Sequence, residues 1–283
     1  MQAHHHEFRL TRMCRALQVS RSGFYAWRER EPSARAQANY SLIERMRVLH
    51  QQTREAYGAR KMWQLLNREG VVCGRHRVAR LRRAAGLVAL RRRRYVRTVQ
   101  ARHQAGASIP NRLNQQFAVS MKNRVWTADY TFVPTRTGWL YVAVILDLYS
   151  RRIVGWAMSP RQTLTVVAEA WWMAWQRRRP APGLIHHSDQ GNQYRAGFYQ
   201  QLLARRGVVP SMSRKGNCYD NAPVESFFSS LKNELTRHRH FQHHAEARYA
   251  IAEYIEVFYN RQRLHQGLGY RSPEEFEQQE RDP

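Results

Sequence analysis

Apolar positions along this chain follow two different periods, and the change falls near residue 124. Before it they recur every three or four residues, as on a helix with one buried side. Leu10, Cys14 and Leu17 form such a stripe, Val19 falls in a turn, and Ser20 is placed to cap a second helix through Phe24 and Trp27. Residues 8–30 therefore predict two short helices of helix-turn-helix size. Between 40 and 88 the pattern returns in Leu42, Met46 and Leu49, then in Met62, Leu65 and Leu66. A turn over Gly70 to Gly74 leads into RHRVARLRRAAGL, where Arg75, Arg77, Arg80, Arg82 and Arg83 flank Val78 and Leu81.

After 124 the texture becomes that of a sheet. NRVWTADYTFVPT alternates with period two, TRTG makes a turn, and WLYVAVILDLYS is almost continuously apolar, as in a strand buried on both faces. RRIVGWAMS predicts a third strand. Residues 163–178 predict a helix with Leu164, Val167, Ala170, Trp171 and Ala174 on one side. GLIHHSD and GVVPSMS are short strands, YRAGFYQQLLARRG and residues 221–236 are helices, and AEARYAIAEYIEVFYNRQRLH reads as one amphipathic helix. Ser272, Pro273, Glu274 and Glu275 open a last helix with a cap, a first-turn proline and first-turn acids. Three meandering strands followed by alternating helices and strands predict a mixed sheet with helices packed on it, the order of the ribonuclease-H-like α/β fold. All-α regions precede it. The expected organisation is a helix-turn-helix region over 1–37, a second helical DNA-binding region over 38–88, a linker over 89–118, a catalytic core over 119–236 and a helical extension over 237–283.

Charge adds a partner to this picture. The net charge is +26, and most of it lies in residues 1–124. Such a field favours polyanions, nucleic acid first and an anionic membrane surface second. No run of about 18 apolar residues exists, so no membrane span is predicted, and MQAHHHEFRL lacks the apolar centre of a signal peptide. Three widely spaced cysteines, Cys14, Cys73 and Cys218, fit free thiols in a reducing cytoplasm. The expected DNA contacts are Arg21 and Arg28, then Arg75, Arg77 and Arg80, then Arg91, Arg92, Arg93 and Arg94 in the linker. The lesser alternative for each helical group is a solvated basic face, and the linker either follows a phosphate backbone or is disordered.

Against that excess of cations, aspartate is scarce, and none precedes Asp129. Asp129 lies mid-strand, on the face opposite Trp126, Ala128, Tyr130 and Phe132. Asp189 ends the HHSD strand, and Glu225 lies in the first turns of a helix. Phosphodiester cleavage and strand transfer are in-line displacements, which two divalent ions about 3.5–4 Å apart can assist at the attacking and leaving oxygens. Carboxylates on separate elements, converging at one sheet edge, supply the hard oxygen ligands Mg²⁺ prefers. On the 221–236 helix, begun by Asn221 and Pro223, Val224, Phe227, Phe228, Leu231 and Leu235 form the apolar stripe. At about 100° per residue Glu225 lies beside it, and Lys232 falls about 20° from Glu225, placed for a DNA phosphate. Asp147, near a hairpin turn, and Asp220, beside a helix cap, read as structural. His186 and His187 read as structural or as a DNA contact. His238, His240, His243 and His244 lack the cysteine pair or third ligand of a zinc site.

Together VWTADYT, HSDQGNQY and SRKGNCYDNAPVESFFSSLKNEL resemble an insertion-sequence transposase of the IS3 type, whose core is similar to retroviral integrases. Thirty-five residues separate Asp189 from Glu225, and Lys232 follows seven positions after Glu225. YNRQRLHQGLGYRSPEEFE resembles the family's C-terminal signature; MCRALQVSRSGFYAW and AYGARKMWQLLNREG resemble its N-terminal helices. The resemblance implies a catalytic triad of Asp129, Asp189 and Glu225 holding two Mg²⁺ or Mn²⁺ ions, with Lys232 assisting DNA binding. It implies cleavage at element ends, then attack by the freed 3′-hydroxyl on target DNA. It further implies a second-reading-frame product, joined by frameshifting to an upstream part that supplies a leucine zipper, and at least a dimer when two ends are brought together. The expected location is the bacterial cytoplasm, at the nucleoid. The competing expectations are a nuclease of the same fold that only hydrolyses, and a non-catalytic DNA-binding protein.

Overall fold

The computed structural model describes residues 1–90, 109–214 and 218–279. The linker arginines Arg91, Arg92, Arg93 and Arg94 lie outside the described residues.

The helical stripes form the elements they predict. α1 (Leu10–Ala16) and α2 (Arg21–Glu29) make the first pair, and Ser20 Oγ accepts from Gly23 N at 3.0 Å as the α2 cap. α3 (Ala34–Gln52) begins six residues before the expected stretch, because Ser33 caps it by accepting from Ala36 N. α4 (Ala59–Arg68) and α5 (Arg75–Ala84) pack on α3 through Leu42, Met46, Leu49, Met62, Leu66, Val78 and Leu81, all buried.

The sheet has five strands: β1 (Val125–Thr135), β2 (Gly138–Asp147), β3 (Ile153–Ser159), β4 (Ile185–Ser188) and β5 (Val209–Met212), in the spatial order β3-β2-β1-β4-β5. The first three meander antiparallel, and β4 and β5 join parallel to β1. This is the ribonuclease-H-like class expected from the sequence. Period two sorts β1 and β2 between two cores. Trp126, Ala128, Ala143 and Ile145 face α6 (Leu164–Arg178) and α8 (Gly197–Ala204), which follows the short α7 (Asn192–Arg195). Val125, Val133, Leu140, Val142, Val144 and Leu146 face α9 (Ala222–Leu231) and α10 (His244–Glu253).

Close approach of α6 to β3 depends on Gly155. A Cβ there would stand 2.2 Å from the Ala170 carbonyl oxygen and 2.7 Å from Ala174 Cβ. Gly155→Ala is expected to cost roughly 1–3 kcal/mol through overpacking, read as a lower urea midpoint at unchanged slope. An unchanged midpoint would mean that α6 shifts freely.

Two expected helices change winding part-way. α9 passes at Lys232 into a π-helical segment, Lys232–Thr236, and α10 passes at Tyr254 into another, Tyr254–Gln262. The wider turn of the second still turns Tyr254, Ile255, Phe258 and Tyr259 into the core. α11 (Pro273–Gln278) closes the described chain with the expected cap at Ser272, as a capping box with Glu275.

The helical part is fastened to the sheet part. Arg54 pairs with Glu253 and lies over the Tyr254 and Phe258 rings at 5.5 and 5.0 Å. Leu264 N donates to Tyr57 Oη at 2.7 Å, and Arg68 pairs with Glu275 at 3.1 Å. None of the described helices is long and apolar enough to cross a membrane.

Candidate active site

Strand register brings the first two carboxylates together. The β1–β4 pairing ends at Ala128 and Ser188, so Asp129 and Asp189 come next on neighbouring parallel strands, both half-buried. Period two points both to the α9 side. Asp129 Oδ1 accepts from Tyr130 N at 2.8 Å. Asp189 Oδ1 accepts from Gly191 N at 2.9 Å, and Gly191 leaves it that space, since a Cβ at this position would lie 2.9 Å from the same oxygen.

The third carboxylate arrives on α9, whose start is tied to β1. Asn221 sits at the cap position but makes no capping bond; its Nδ2 donates instead to the Ala128 carbonyl at 3.2 Å, next to Asp129. The preceding residue, Asp220, is fully enclosed. It accepts from Asn111 Nδ2, Gln115 Nε2, Arg214 N and the Arg214 guanidinium, at 2.8 to 3.1 Å. The Arg214 side chain holds its carboxyl below the usual carboxylate range. Asp220 is therefore the structural group expected, and it anchors the start of the helix that carries Glu225. The Glu225 side chain stands on an exposed face between buried Val224 and Phe227. Asp147 is structural too: it is buried and accepts from Asn123 N, Trp126 Nε1 and Tyr149 N.

Electrostatics link the three acids. Burial, then the Asp189 charge, then Glu225 push the Asp129 carboxyl well above its ordinary range, against the pull of Tyr130 N and Lys232. Loss of hydration, then the Asp189 charge, raise Glu225. Such a set is poorly compensated by itself, and hard oxygen donors under mutual repulsion suit a divalent cation. Among the described residues, no three or more His, Cys, Asp or Glu side chains close around one point.

The raised Asp129 carboxyl has a stability consequence. The folded state holds this proton more tightly than the unfolded chain, so stability is lost as pH rises through the raised value. Without divalent metal at neutral pH, Asp129→Asn is expected to raise Tm by a few degrees, on the order of 2–4 °C per kcal/mol recovered. Mg²⁺ should raise Tm of the parent more than that of the variant. Calorimetry with EDTA and then Mg²⁺ measures both, and an equal Mg²⁺ response in the two proteins would remove Asp129 from the metal site.

Lys232 is the first residue of the π segment, so its expected α-helical angle from Glu225 does not carry past Leu231. It nonetheless faces the site, where its charge favours ionised Asp129 and its Nζ stands 5.9 Å from the Phe132 ring centroid. His186 and His187 are buried, which leaves only the structural alternative. His186 Nε2 meets Tyr199 Oη at 2.9 Å, and His187 meets Ser211 and Ser213 Oγ at 2.9 and 3.2 Å. Burial holds them down to about 3 and about 4, so both are neutral.

Of the expected DNA-contact residues, Arg21 and Arg28 are exposed on α2, with Arg28 4.8 Å from the Tyr25 ring. Arg75, Arg80 and Arg83 are exposed on α5. Arg77 donates to Asn39 Oδ1 at 2.9 Å, and Arg82 is buried, donating to the Leu87 carbonyl at 3.0 Å. Helical period decides this split, since Arg82 follows Val78 and Leu81 onto the packed side. Sequence reasoning missed Gln162, whose Nε2 donates to Tyr130 Oη at 2.6 Å beside the acids. No local motif marks it; only the fold brings residues 130 and 162 together.

Family comparison agrees with this architecture. Models described as an integrase core domain match residues 119–218 and 206–273, and a model described as an HTH-like domain matches residues 37–95. An uncharacterized 31 kDa protein of insertion element IS600 from Shigella sonnei is 47% identical over 93% of this chain and 97% of its own length. The transposase for insertion sequence element IS904 from Lactococcus lactis is 42% identical, over 88% of this chain and 98% of its own. Transposase InsF for insertion sequence IS3A from Escherichia coli K12 is 40% identical, over 98% of this chain and 96% of its own. With helix-turn-helix-like helices, an integrase core and relatives alike over nearly their whole length, the chain belongs to the insertion-sequence transposases of the IS3 type, DDE-type polynucleotidyl transferases.

Proposed function

We propose that Asp129, Asp189 and Glu225 are the catalytic carboxylates with which this transposase cuts DNA at the ends of its element and joins them to a target. The observation that carries the reading is the meeting of Asp129, in the middle of β1, with Asp189, one residue past the end of β4, beneath a helix fastened to Ala128 by Asn221. Held by the three carboxylates, two Mg²⁺ or Mn²⁺ ions would supply activation of the attacking oxygen and stabilisation of the leaving one. Asp129 on β1 and Asp189 just past the end of β4 would fix two ligand positions, while Glu225 would complete the set from α9. Lys232 offsets their charge and faces a phosphate of the bound strand. In the cut, water attacks the phosphorus and the 3′ oxygen leaves as a hydroxyl. In the joining step that hydroxyl gives up its proton, attacks a target phosphodiester and displaces the target's own 3′ oxygen.

The other parts divide the work by charge. Residues 1–37 and 38–88 hold the element end, with Arg21, Arg28, Arg75, Arg77 and Arg80 on phosphates, and the 89–118 linker adds its arginines. Residues 119–236 do the chemistry, and 237–283 brace it through buried Phe241, Ile251, Tyr254 and Phe258. Synapsis of two ends calls for at least two copies, with the upstream reading-frame product as fusion or partner, in the cytoplasm at the nucleoid.

The test is strand transfer by the purified chain with Mg²⁺ or Mn²⁺ and a labelled duplex of the element's end, beside Asp189→Asn. Joined product from the parent alone supports the reading. Cut product without joining makes the protein a hydrolase, and equal products from Asp189→Asn would sink the site.

A further inference from the structure

β1 carries more than Asp129. On its other pleat face, Tyr130 and Phe132 follow Trp126 and Ala128, and of these four Phe132 alone stands outside the core packed with α6 and α8. Phe132 is 52% exposed and Trp139, from the start of β2, is 50% exposed. Their rings meet edge to face, with centroids 4.9 Å apart and planes at 82°. Burying both would remove a large apolar area from water, so two half-exposed rings in contact mark a surface with a use.

Two features join this strip to the carboxylates. Tyr130 lies next to Asp129 in the strand, and its hydroxyl, held by Gln162 at 2.6 Å, is within electrostatic range of both Asp129 and Asp189. At the other side Lys232 reaches Phe132 at 5.9 Å while its charge acts on Asp129. The β1–β4 ladder stops at Ala128, so among the described residues the β1 edge beyond Asp129 has no strand beside it until the bridge from Thr135 to Phe241. A DNA strand lying at the carboxylates can therefore pass over this edge onto the aromatic face.

We propose that Tyr130, Phe132 and Trp139 form a stacking platform for an unpaired base of the strand whose phosphate lies at Asp129 and Asp189, with Lys232 on the neighbouring phosphate. The proposal rests on the catalytic reading above and adds what the site does with the bases. In-line attack needs the scissile phosphate within reach of the carboxylates, and a strand drawn onto them leaves a flanking base free to unpair. Aromatic faces hold unpaired bases without regard to sequence, and a lysine beside them supplies the backbone charge such sites need. In the T-shaped pair the edge of one ring braces the face of the other.

The experiment is photocrosslinking of the full chain, in Mg²⁺-free buffer, to a terminal-repeat duplex of the element with 5-iodouracil placed singly around the cleaved bond. Mapping by mass spectrometry is expected to find Phe132 or Trp139 joined to a position next to that bond. Asp189→Asn should keep this crosslink while losing cleavage in Mg²⁺. Phe132→Ala/Trp139→Ala should lose it, bind the duplex through its helices as the parent does, and cleave about tenfold to a hundredfold more slowly. Trp139→Phe should restore most of the rate, which separates stacking from loss of fold. The platform is overturned if no probe position joins these residues, or if the double variant cleaves at the parental rate. Cleavage retained by Asp189→Asn would instead overturn the catalytic assignment, and the crosslink map would still report on the platform by itself.

Discussion

Glu225→Gln is expected to lower the rate of end cleavage by about a hundredfold to a thousandfold or more, while leaving DNA binding within about twofold of the parent. The substitution keeps the shape of the side chain and removes its charge. The flanking core residues Val224 and Phe227 are untouched, and Glu225 itself stands on an exposed face, so α9 keeps its packing. What changes is the third of the proposed ligand positions. A neutral amide is a weaker ligand than a carboxylate for a hard dication, and the developing charge at phosphorus is then less fully compensated. Binding should survive because a carboxylate repels phosphate and holds none of the backbone in place. Single-turnover cleavage of prebound DNA, beside a binding titration in EDTA, reads the two effects separately. Equal cleavage rates in variant and parent would remove Glu225 from the site.

Removing the three exposed arginines of α5 should have the opposite signature. Arg75→Ala/Arg80→Ala/Arg83→Ala is expected to weaken binding to the element's end at least about tenfold in low salt. The slope of log affinity against log salt should fall by about three, close to one counterion for each phosphate that an arginine no longer neutralises. All three side chains are exposed, whereas Val78 and Leu81 of the same helix are buried, so the helix should keep its place. Arg82→Ala serves as the contrast. Its guanidinium is buried against the Leu87 carbonyl, so its removal should lower stability and leave the salt slope unchanged. Anisotropy titrations across a salt series measure both variants. An unchanged slope in the triple variant would make α5 a solvated face. Deleting residues 1–88 is a poorer test, because it also strips Arg54 from Glu253, Tyr57 from Leu264 and Arg68 from Glu275. A loss of activity would then report a loosened core.

The helices and strands were legible where one period ran unbroken. Leu42, Met46 and Leu49 on α3 and the alternating β1 are cases in which local order and burial agree. The period misleads where winding changes. Nothing local in SLKNEL marks the passage to π geometry at Lys232, because that change is set by what the helix packs against. There, Tyr254 Oη donates to Glu234 at 2.7 Å, and Arg263 donates to both Glu234 and Ser230. Tyr254 and Arg263 come from the C-terminal segment, which no reading of residues 221–236 contains.

The candidate site divides in the same way. The sequence by itself determined which acids stand apart from a basic chain, the strands and helix that carry or flank them, and the excess of positive charge that favours a polyanion. These are properties of composition, order and period, and they need no partner residue to be defined. The tertiary structure alone decided that β4 lies beside β1 with Ala128 opposite Ser188, so that Asp129 and Asp189 meet. It decided that Asn221 serves as a strap to β1 and makes no cap, that Asp220 is an anchor, and that Arg82 turns inward while Arg75 and Arg80 face out. Each of these depends on residues far apart in the chain coming together, and the energy of such a meeting is settled by the burial and hydrogen bonding that packing creates.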